Sequence, residues 1–332
     1  MTAARPALEL IGTSAPIEAV RRLVRRIGES PTRAVLVYGE TGTGKGLVAR
    51  MIHAQSPRSQ REFIDINCGA IPGGLVESEL FGHEKGAFTG AATRKTGLIE
   101  AANGGTVFLD EIRELDHVVQ AKLLTLLDTQ RFRRIGSVRS IEVDVRFIAA
   151  TNRILFTEVR EGRFRDDLYY RLQVVAVNLP PLRDRGEDCM VLTEHFLREL
   201  GERYRRRING WAPAVEEVFR AYHWPGNVRE LENLLERIVA LEDDARIDVR
   251  HIPPRIMREV ERGPSPTASS ADPTPARVGA EDFHQATARF QRELVREALV
   301  RSDGSVGRAA RRLGLSRHAL RHQMSKLGVT RE

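Results

Sequence analysis

Over the first 180 positions, short apolar runs alternate with stretches of helical periodicity. Residues 34–38 (AVLVY), 63–67, 106–109, 146–150 and 174–178 read as strands. Several are apolar on both faces, as strands in the middle of a parallel sheet are. Between them, 46–54 and 118–127 carry apolar residues at helical spacing. Strand–helix alternation predicts an α/β fold, a parallel sheet joined by right-handed crossovers. After Pro180-Pro181 the strand signals stop, and 188–204, 213–222 and 228–241 read as a small all-helical subdomain. The segment 261–282, ERGPSPTASSADPTPARVGAED, has no apolar periodicity and the composition of a linker.

The pattern resumes beyond the linker. Residues 290–300 form an amphipathic helix. Ser305 is placed as an N-cap, and Val306, Ala309, Ala310 and Leu313 make one apolar stripe. Gly314 suits a left-handed C′ position, and Ser316 caps a second helix carrying Leu320, Met324 and Leu327, a helix-turn-helix pattern. The expected division is therefore 1–180 for the α/β core, 181–258 for the helical subdomain, 259–282 for the linker and 283–332 for the C-terminal helices.

Charge changes this picture more than bulk composition does. The chain carries a net charge of +7 over 332 residues. Residues 283–332 hold eleven Lys/Arg against four Asp/Glu, so the whole excess sits in the tail. A basic excess confined to a helix-turn-helix points to a polyanion. Arg317, His318, Arg321 and His322 open the second helix, where side chains reach base edges, and Arg308 and Lys326 suit phosphate contacts. The bland alternative is a helical hairpin for oligomerisation. The two cysteines, Cys68 and Cys189, have no metal-ligand spacing, and the nine histidines are scattered, so no metal site built from side chains alone is expected. No apolar run is long enough to span a bilayer and the N-terminus lacks signal-peptide features; the expectation is a cytoplasmic protein with no membrane partner.

The chemistry concentrates in the α/β part. Gly39-Glu40-Thr41-Gly42-Thr43-Gly44-Lys45 follows a strand and opens a helix, the context of a phosphate loop. Its glycines let backbone N–H groups face phosphate oxygens, the helix N-terminus adds partial positive charge, and Lys45 would neutralise the β- and γ-phosphates of ATP. Gly46 stands where a magnesium-binding Ser/Thr is usual. Residues 106–109 carry Asp110 and Glu111 to the C-terminal end of a strand. Asp110 would hold Mg2+, directly or through water, and Glu111 would polarise the attacking water. Asn152 ends another strand and can place a water or contact the γ-phosphate. Arg163, Arg165 and Arg171 cluster near carboxylates; they are either surface ion pairs or arginine fingers presented to a neighbouring subunit's ATP. Asn227 reads as the N-cap of a helix with Glu230 completing a capping box, and Arg229 at that helix start can reach the nucleotide.

In this order the motifs resemble AAA+ P-loop ATPases, and Gly86-Ala87-Phe88-Thr89-Gly90-Ala91 narrows the resemblance. GAFTGA is the signature loop of sigma-54-dependent activators, the NtrC-like enhancer-binding proteins. VLVYGETGTGKGLVAR, FIDINCGAIP, LFGHEKGAFTGA, EAANGGTVFLDEI, FRDDLYYRL, LPPLRDR and WPGNVRELEN look like that family's segments, and the tail resembles its Fis-like DNA-binding domain. The resemblance implies an AAA+ ATPase with a helical lid and a homo-oligomeric ring of six or seven subunits. Hydrolysis would move the Phe88–Thr89 loops to remodel sigma-54 RNA polymerase while the tail holds enhancer DNA. It implies that Asn67 is a switch pairing with Glu111, that Arg165 and Arg171 are the arginine fingers, that Arg229 is sensor II, and that 131–142 is a second loop supporting the first. Gly46 stands in place of the family's Glu, Arg113 in place of the glycine of DEIGEL, and Ser137 follows Ile135-Gly136 where a second glycine is common. The chain starts almost directly at the ATPase, without the receiver or sensor domain most members carry, so control is expected in trans, through expression level, or through a domain outside this sequence. Two rivals are a DNA-binding regulator with a degenerate ATPase and an AAA+ unfoldase. Intact GAFTGA and Asp110-Glu111 argue against the first, and the basic helix-turn-helix against the second.

Overall fold

The computed structural model describes residues 8–262 together with 296, 298, 299, 301, 302, 305–312 and 324. The chain divides into two compact units, 1–264 and 265–332.

In the first unit, helix α1 (Ala15–Glu29) precedes strand β1 (Ala34–Tyr38), helix α2 (Lys45–Ala54), strand β2 (Phe63–Asn67) and helix α3 (Gly73–Phe81). A two-residue ladder follows, β3 (Gly82–His83) with β4 (Lys95–Thr96), then α4 (Leu98–Ala101) and β5 (Thr106–Asp110). Helix α5 (His117–Thr129) leads to a second short ladder, β6 (Arg131–Phe132) with β7 (Ile141–Glu142), and on to β8 (Arg146–Thr151). The short helices α6 (Leu155–Arg160) and α7 (Asp166–Leu172) precede β9 (Ala176–Asn178). The main sheet is wholly parallel, in the order β2-β5-β8-β1-β9. Sequence reasoning placed its strands within a residue or two; the last begins at Ala176 rather than 174.

The order follows from burial. β1, β5 and β8 are buried along nearly all their length, as uninterrupted apolar runs require, and β2, with its mixed pattern, takes an edge. One face packs against α3, α5 and α7 through Leu36, Ile66, Leu109, Leu123, Phe147 and Leu168. The other packs against α1 and α2 through Val24, Val35, Val48, Ile52 and Phe108. All five strands therefore point their C-terminal ends the same way, toward the loop between β1 and α2.

A helical layer completes the unit: α8 (Asp188–Tyr204), α9 (Pro213–Ala221), α10 (Asn227–Leu241) and α11 (Pro254–Arg262), gathered around Leu197, Phe219, Trp224, Leu231 and Leu235. The expected capping of α10 needs correction. The N-cap is Gly226, and Asn227 is the first helical residue, with φ 51°. Glu230 does reach back, but to the Gly226 N–H, at 2.9 Å.

In the second unit, helix Val306–Arg312 follows Ser305, whose carbonyl accepts from Ala309 N. Val306, Ala309 and Ala310 are buried with Ala298, Leu299 and Met324, which matches the expected apolar stripe. Leu313 lies outside the described residues, as do Arg317, His318, Arg321, His322 and Lys326. Arg308 lies on the helix, exposed. Among the described residues, no helix is long and apolar enough to cross a membrane.

Candidate functional site

A cavity of about 380 Å³ opens where the sheet's C-terminal edge meets the helical layer. Residues 41–47, Asp110, Glu111 and Arg229 line it, as the sequence pattern requires. Gly42 and Gly44 have φ of 80° and 103°, which lets the loop curl around the start of α2. Lys45 is buried. Its Nζ donates to Gly39 O at 3.0 Å and lies 3.9 Å from Glu111 Oε1. Burial lowers the Lys45 pKa; Glu111 and Asp110 oppose that shift and Arg229 adds to it.

The acids sit at the end of β5. Asp110 Oδ1 accepts from Glu111 N at 3.0 Å, and Glu111 adopts φ 52°, a conformation rarely held by a non-glycine residue. Asn152, at the end of β8, donates to Thr41 Oγ1 at 3.3 Å. Glu111 Oε2 and Asn152 Oδ1 are buried acceptors with no hydrogen-bond partner. Unsatisfied buried acceptors around a phosphate loop are what a hydrated cation and a nucleophilic water would complete. Gly46 has room for a side chain: a Cβ there would meet only Phe108, at 3.7 Å.

The helical layer grips the loop directly. Asn227 donates to Thr41 O at 3.0 Å and to Glu40 Oε2 at 3.1 Å, and accepts from Leu182 N at 2.7 Å. Arg229 N donates to Gly42 O at 3.3 Å. Arg183 holds both Glu40 oxygens, at 2.5 and 2.9 Å, and that hydrogen bonding is the main reason the Glu40 pKa is lowered. Arg185, 1% exposed, donates to Thr43 O at 2.9 Å; burial brings its pKa down to about 10.

Sequence reasoning missed the far wall of the cavity. Leu10, Ile11, Leu192, His195 and Phe196 form it, an apolar and aromatic surface. The N-terminal segment is pinned there by Asp188, which accepts from Thr13 N at 2.6 Å and from Ser14 N at 2.9 Å.

Other expected residues lie elsewhere. Arg165 and Arg171 do not line the cavity. Arg165 pairs with Asp167 at 2.7 Å, and Arg171 with Asp128 at 2.9 Å. Asn67 stands opposite Asp110 in the β2–β5 register, but its Oδ1 accepts from Gly69 N at 3.0 Å. No hydrogen bond joins Asn67 to Glu111 in this arrangement, and Glu111 Oε2 has no partner.

GAFTGA closes on itself beyond β3. Gly86 N donates to Ala91 O and Ala91 N to Phe88 O, with Gly86 and Gly90 at φ 80° and 104°. Phe88 is 39% exposed, edge-on to His83 with ring centroids 5.0 Å apart, and Thr89 is exposed. The loop between β6 and β7 braces this hairpin. Ile135 bridges His83, a Cβ on Gly136 would meet Ala87 at 2.8 Å, and buried Arg134 joins Glu84 to Glu100.

Comparison with known proteins agrees with these observations. The family described as "Sigma-54 interaction domain" matches residues 10–178, "AAA+ ATPase lid domain" 183–269, and "Bacterial regulatory protein, Fis family" 287–327. The nitrogen fixation protein AnfA of Azotobacter vinelandii is 42% identical over 97% of this chain and 58% of its own length. The regulatory protein AtoC of Escherichia coli K12 is 45% identical over 89% of this chain and 63% of its own. The chain therefore spans about three fifths of these relatives. The crystal structure of NtrX from Brucella abortus in complex with ADP superposes with a TM-score of 0.69 at 33% identity, covering 97% of this chain and 69% of that one. A phosphate loop beneath a helical lid, GAFTGA on its hairpin and these matches along most of the sequence place the chain in the family of sigma-54-dependent transcriptional activators, on an AAA+ α/β fold with a Fis-type helix-turn-helix.

Proposed function

We propose that this protein hydrolyses ATP and uses the cycle to remodel RNA polymerase carrying sigma-54, from DNA sites held by its C-terminal helices. The observation that carries the reading is the meeting, in one cavity, of Lys45, Asp110, Glu111 and Arg229 around a loop that the lid already grips. Residues 39–46 would cradle the phosphates, and Lys45 would move from Gly39 O and Glu111 to the γ-phosphate. Asp110 would hold Mg2+, directly or through water, which when bound neutralises phosphate charge. Glu111 polarises the attacking water, and Asn152, already bonded to Thr41, orients the γ-phosphate or the water.

Arg165 and Arg171 lie outside the cavity of their own chain. That suits fingers offered to a neighbour's ATP, and hence a homo-oligomeric ring, hexameric or heptameric. Phe88 and Thr89, exposed on a braced hairpin, would contact sigma-54; Asn67, at the edge of the sheet beside Asp110, would relay nucleotide state toward it. Enhancer DNA is the proposed partner of Arg308, Arg317, His318, Arg321, His322 and Lys326, and the cytoplasm the proposed location.

The deciding experiment is open-complex formation in vitro with sigma-54 polymerase and, separately, with polymerase carrying another sigma factor. ATP-dependent opening with the first alone is expected; no opening with either would overturn the reading. In the same assay Lys45→Ala should abolish turnover, and Glu111→Gln should retain ATP binding while hydrolysis stops. Normal turnover in either variant would remove that residue from the chemistry.

A further inference from the structure

The strand that presents Asp110 and Glu111 runs straight into a short turn, Ile112–Glu114. Within it, Arg113 folds back toward Glu111. Its Nε lies 3.8 Å from Glu111 Oε2, while its Nη2 is anchored on Glu114 Oε1 at 2.8 Å. Both Arg113 Nε and Glu111 Oε2 are buried atoms with no hydrogen-bond partner. A buried donor and a buried acceptor left unpaired each carry a desolvation cost that closer approach relieves. The other carboxylate oxygen, Oε1, lies 3.9 Å from Lys45. The carboxylate thus has a different cation close to each oxygen, the phosphate-loop lysine at Oε1 and Arg113 at Oε2.

We propose that Arg113 is a positioning residue for Glu111: its guanidinium, anchored by Glu114, takes Oε2 as its partner and keeps Oε1 turned to the phosphate side of the cavity. The proposal rests on the reading of Glu111 as the group that polarises water. When a γ-phosphate claims Lys45, Glu111 loses its front partner. Arg113 then supplies the charge that keeps the carboxylate from following the lysine or swinging out of line. Asn67 does not do this here: it makes no hydrogen bond to Glu111, whose Oε2 has no hydrogen-bond partner. The alternative is that Arg113 merely braces Glu114.

The test uses Arg113→Met and Arg113→Lys in the full chain, with two independent readouts. The first is steady-state turnover. Arg113→Met should lower kcat by about tenfold or more, within the roughly hundredfold cost of ångström-scale misplacement, and leave KM within about twofold. Arg113→Lys, which keeps a cation but not the fork, should recover part of the loss. The second is thermal melting of nucleotide-free protein in a double-mutant cycle with Glu111→Gln. The two substitutions should fail to add, because each removes the same contact. Unchanged or raised kcat in Arg113→Met, or strictly additive melting shifts, overturns the proposal. If Glu111→Gln itself leaves turnover intact, the reading of Glu111 fails first. If Glu111→Gln stops turnover and Arg113→Met does not, only the positioning role fails.

Discussion

Gly42 packs closely against the lid. Its φ is 80°, and a Cβ there would lie 2.1 Å from Gly226 O and 3.1 Å from Arg229 Cβ. Gly42→Ala therefore has two costs. The left-handed dihedral costs an L-residue about 1–2 kcal/mol. The new Cβ would meet the backbone carbonyl of Gly226, with no flexible side chain to yield, and overpacking of this kind costs about 1–3 kcal/mol. Gly186→Ala isolates the first cost, since Gly186 has φ 56° and open space around its Cβ. The expected destabilisation is about 2–5 kcal/mol for Gly42→Ala against about 1–2 kcal/mol for Gly186→Ala. In a domain of this size each kcal/mol shifts Tm by roughly 2–4 °C, so paired melting curves resolve the difference. If the lid swings away instead of straining, the hydrogen bond from Arg229 N to Gly42 O breaks and the cavity loses its far wall. Nucleotide affinity, read by fluorescence titration, should then fall about tenfold or more, equivalent to roughly 1.4 kcal/mol. Gly42→Ala protein that melts with Gly186→Ala and binds nucleotide normally would refute the close approach.

Arg165→Ala and Arg171→Ala should each reduce turnover by roughly a thousandfold, the scale of a lost arginine finger. Mixing Arg165→Ala with Glu111→Gln protein should restore some activity through mixed rings, and no rescue in rings shown to exchange subunits would count against shared sites. Thr89→Ala should leave ATP hydrolysis largely intact and abolish engagement of sigma-54; normal open-complex rates would move the contact elsewhere. Deleting 283–332 should preserve ATP hydrolysis and remove DNA binding, read as a salt-titrated affinity on specific and random duplexes, and equal binding by truncated and intact protein would return the tail to an oligomerisation role.

The fold was legible where information is local. An apolar run buried on both faces, a glycine loop and a helix start at 34–54 define β1, the phosphate loop and α2 within ten-odd positions of one another, and the structure places them as read. The cavity's far wall was not legible. Leu192 and Phe196 carry the same helical periodicity as core residues of α8, and nothing in the pattern tells a side chain facing a cavity from one facing a core. Asn227 shows the opposite failure. Glu230 does cap the start of α10, but at Gly226, and the Asn227 side chain is taken by Leu182 N and Thr41 O, which lie 45 and 186 positions away. Long-range hydrogen bonds displaced the local one, and the backbone accepted φ 51° to allow it. Arg113 was visible as a departure in the sequence, but only the structure shows it beside Glu111.

The contacts along the phosphate loop suggest why the lid and the sheet respond together. Glu40 is held by Arg183 and Asn227, Thr41 by Asn152 on one side and Asn227 on the other, Gly42 by Arg229, and Thr43 by Arg185. Each of these four consecutive residues is tied outside the loop, and of the five partners all but Asn152 belong to the lid or to the segment leading into it. A loop that adjusts to a γ-phosphate by even a fraction of an ångström must therefore stretch several of these bonds at once. Directional hydrogen bonds weaken steeply with misalignment, so the cheaper response is for the lid to move as a body. On this argument, substitutions at Arg183 or Asn227 should alter how far the lid follows the nucleotide, while substitutions at Lys45 alter whether the loop senses it.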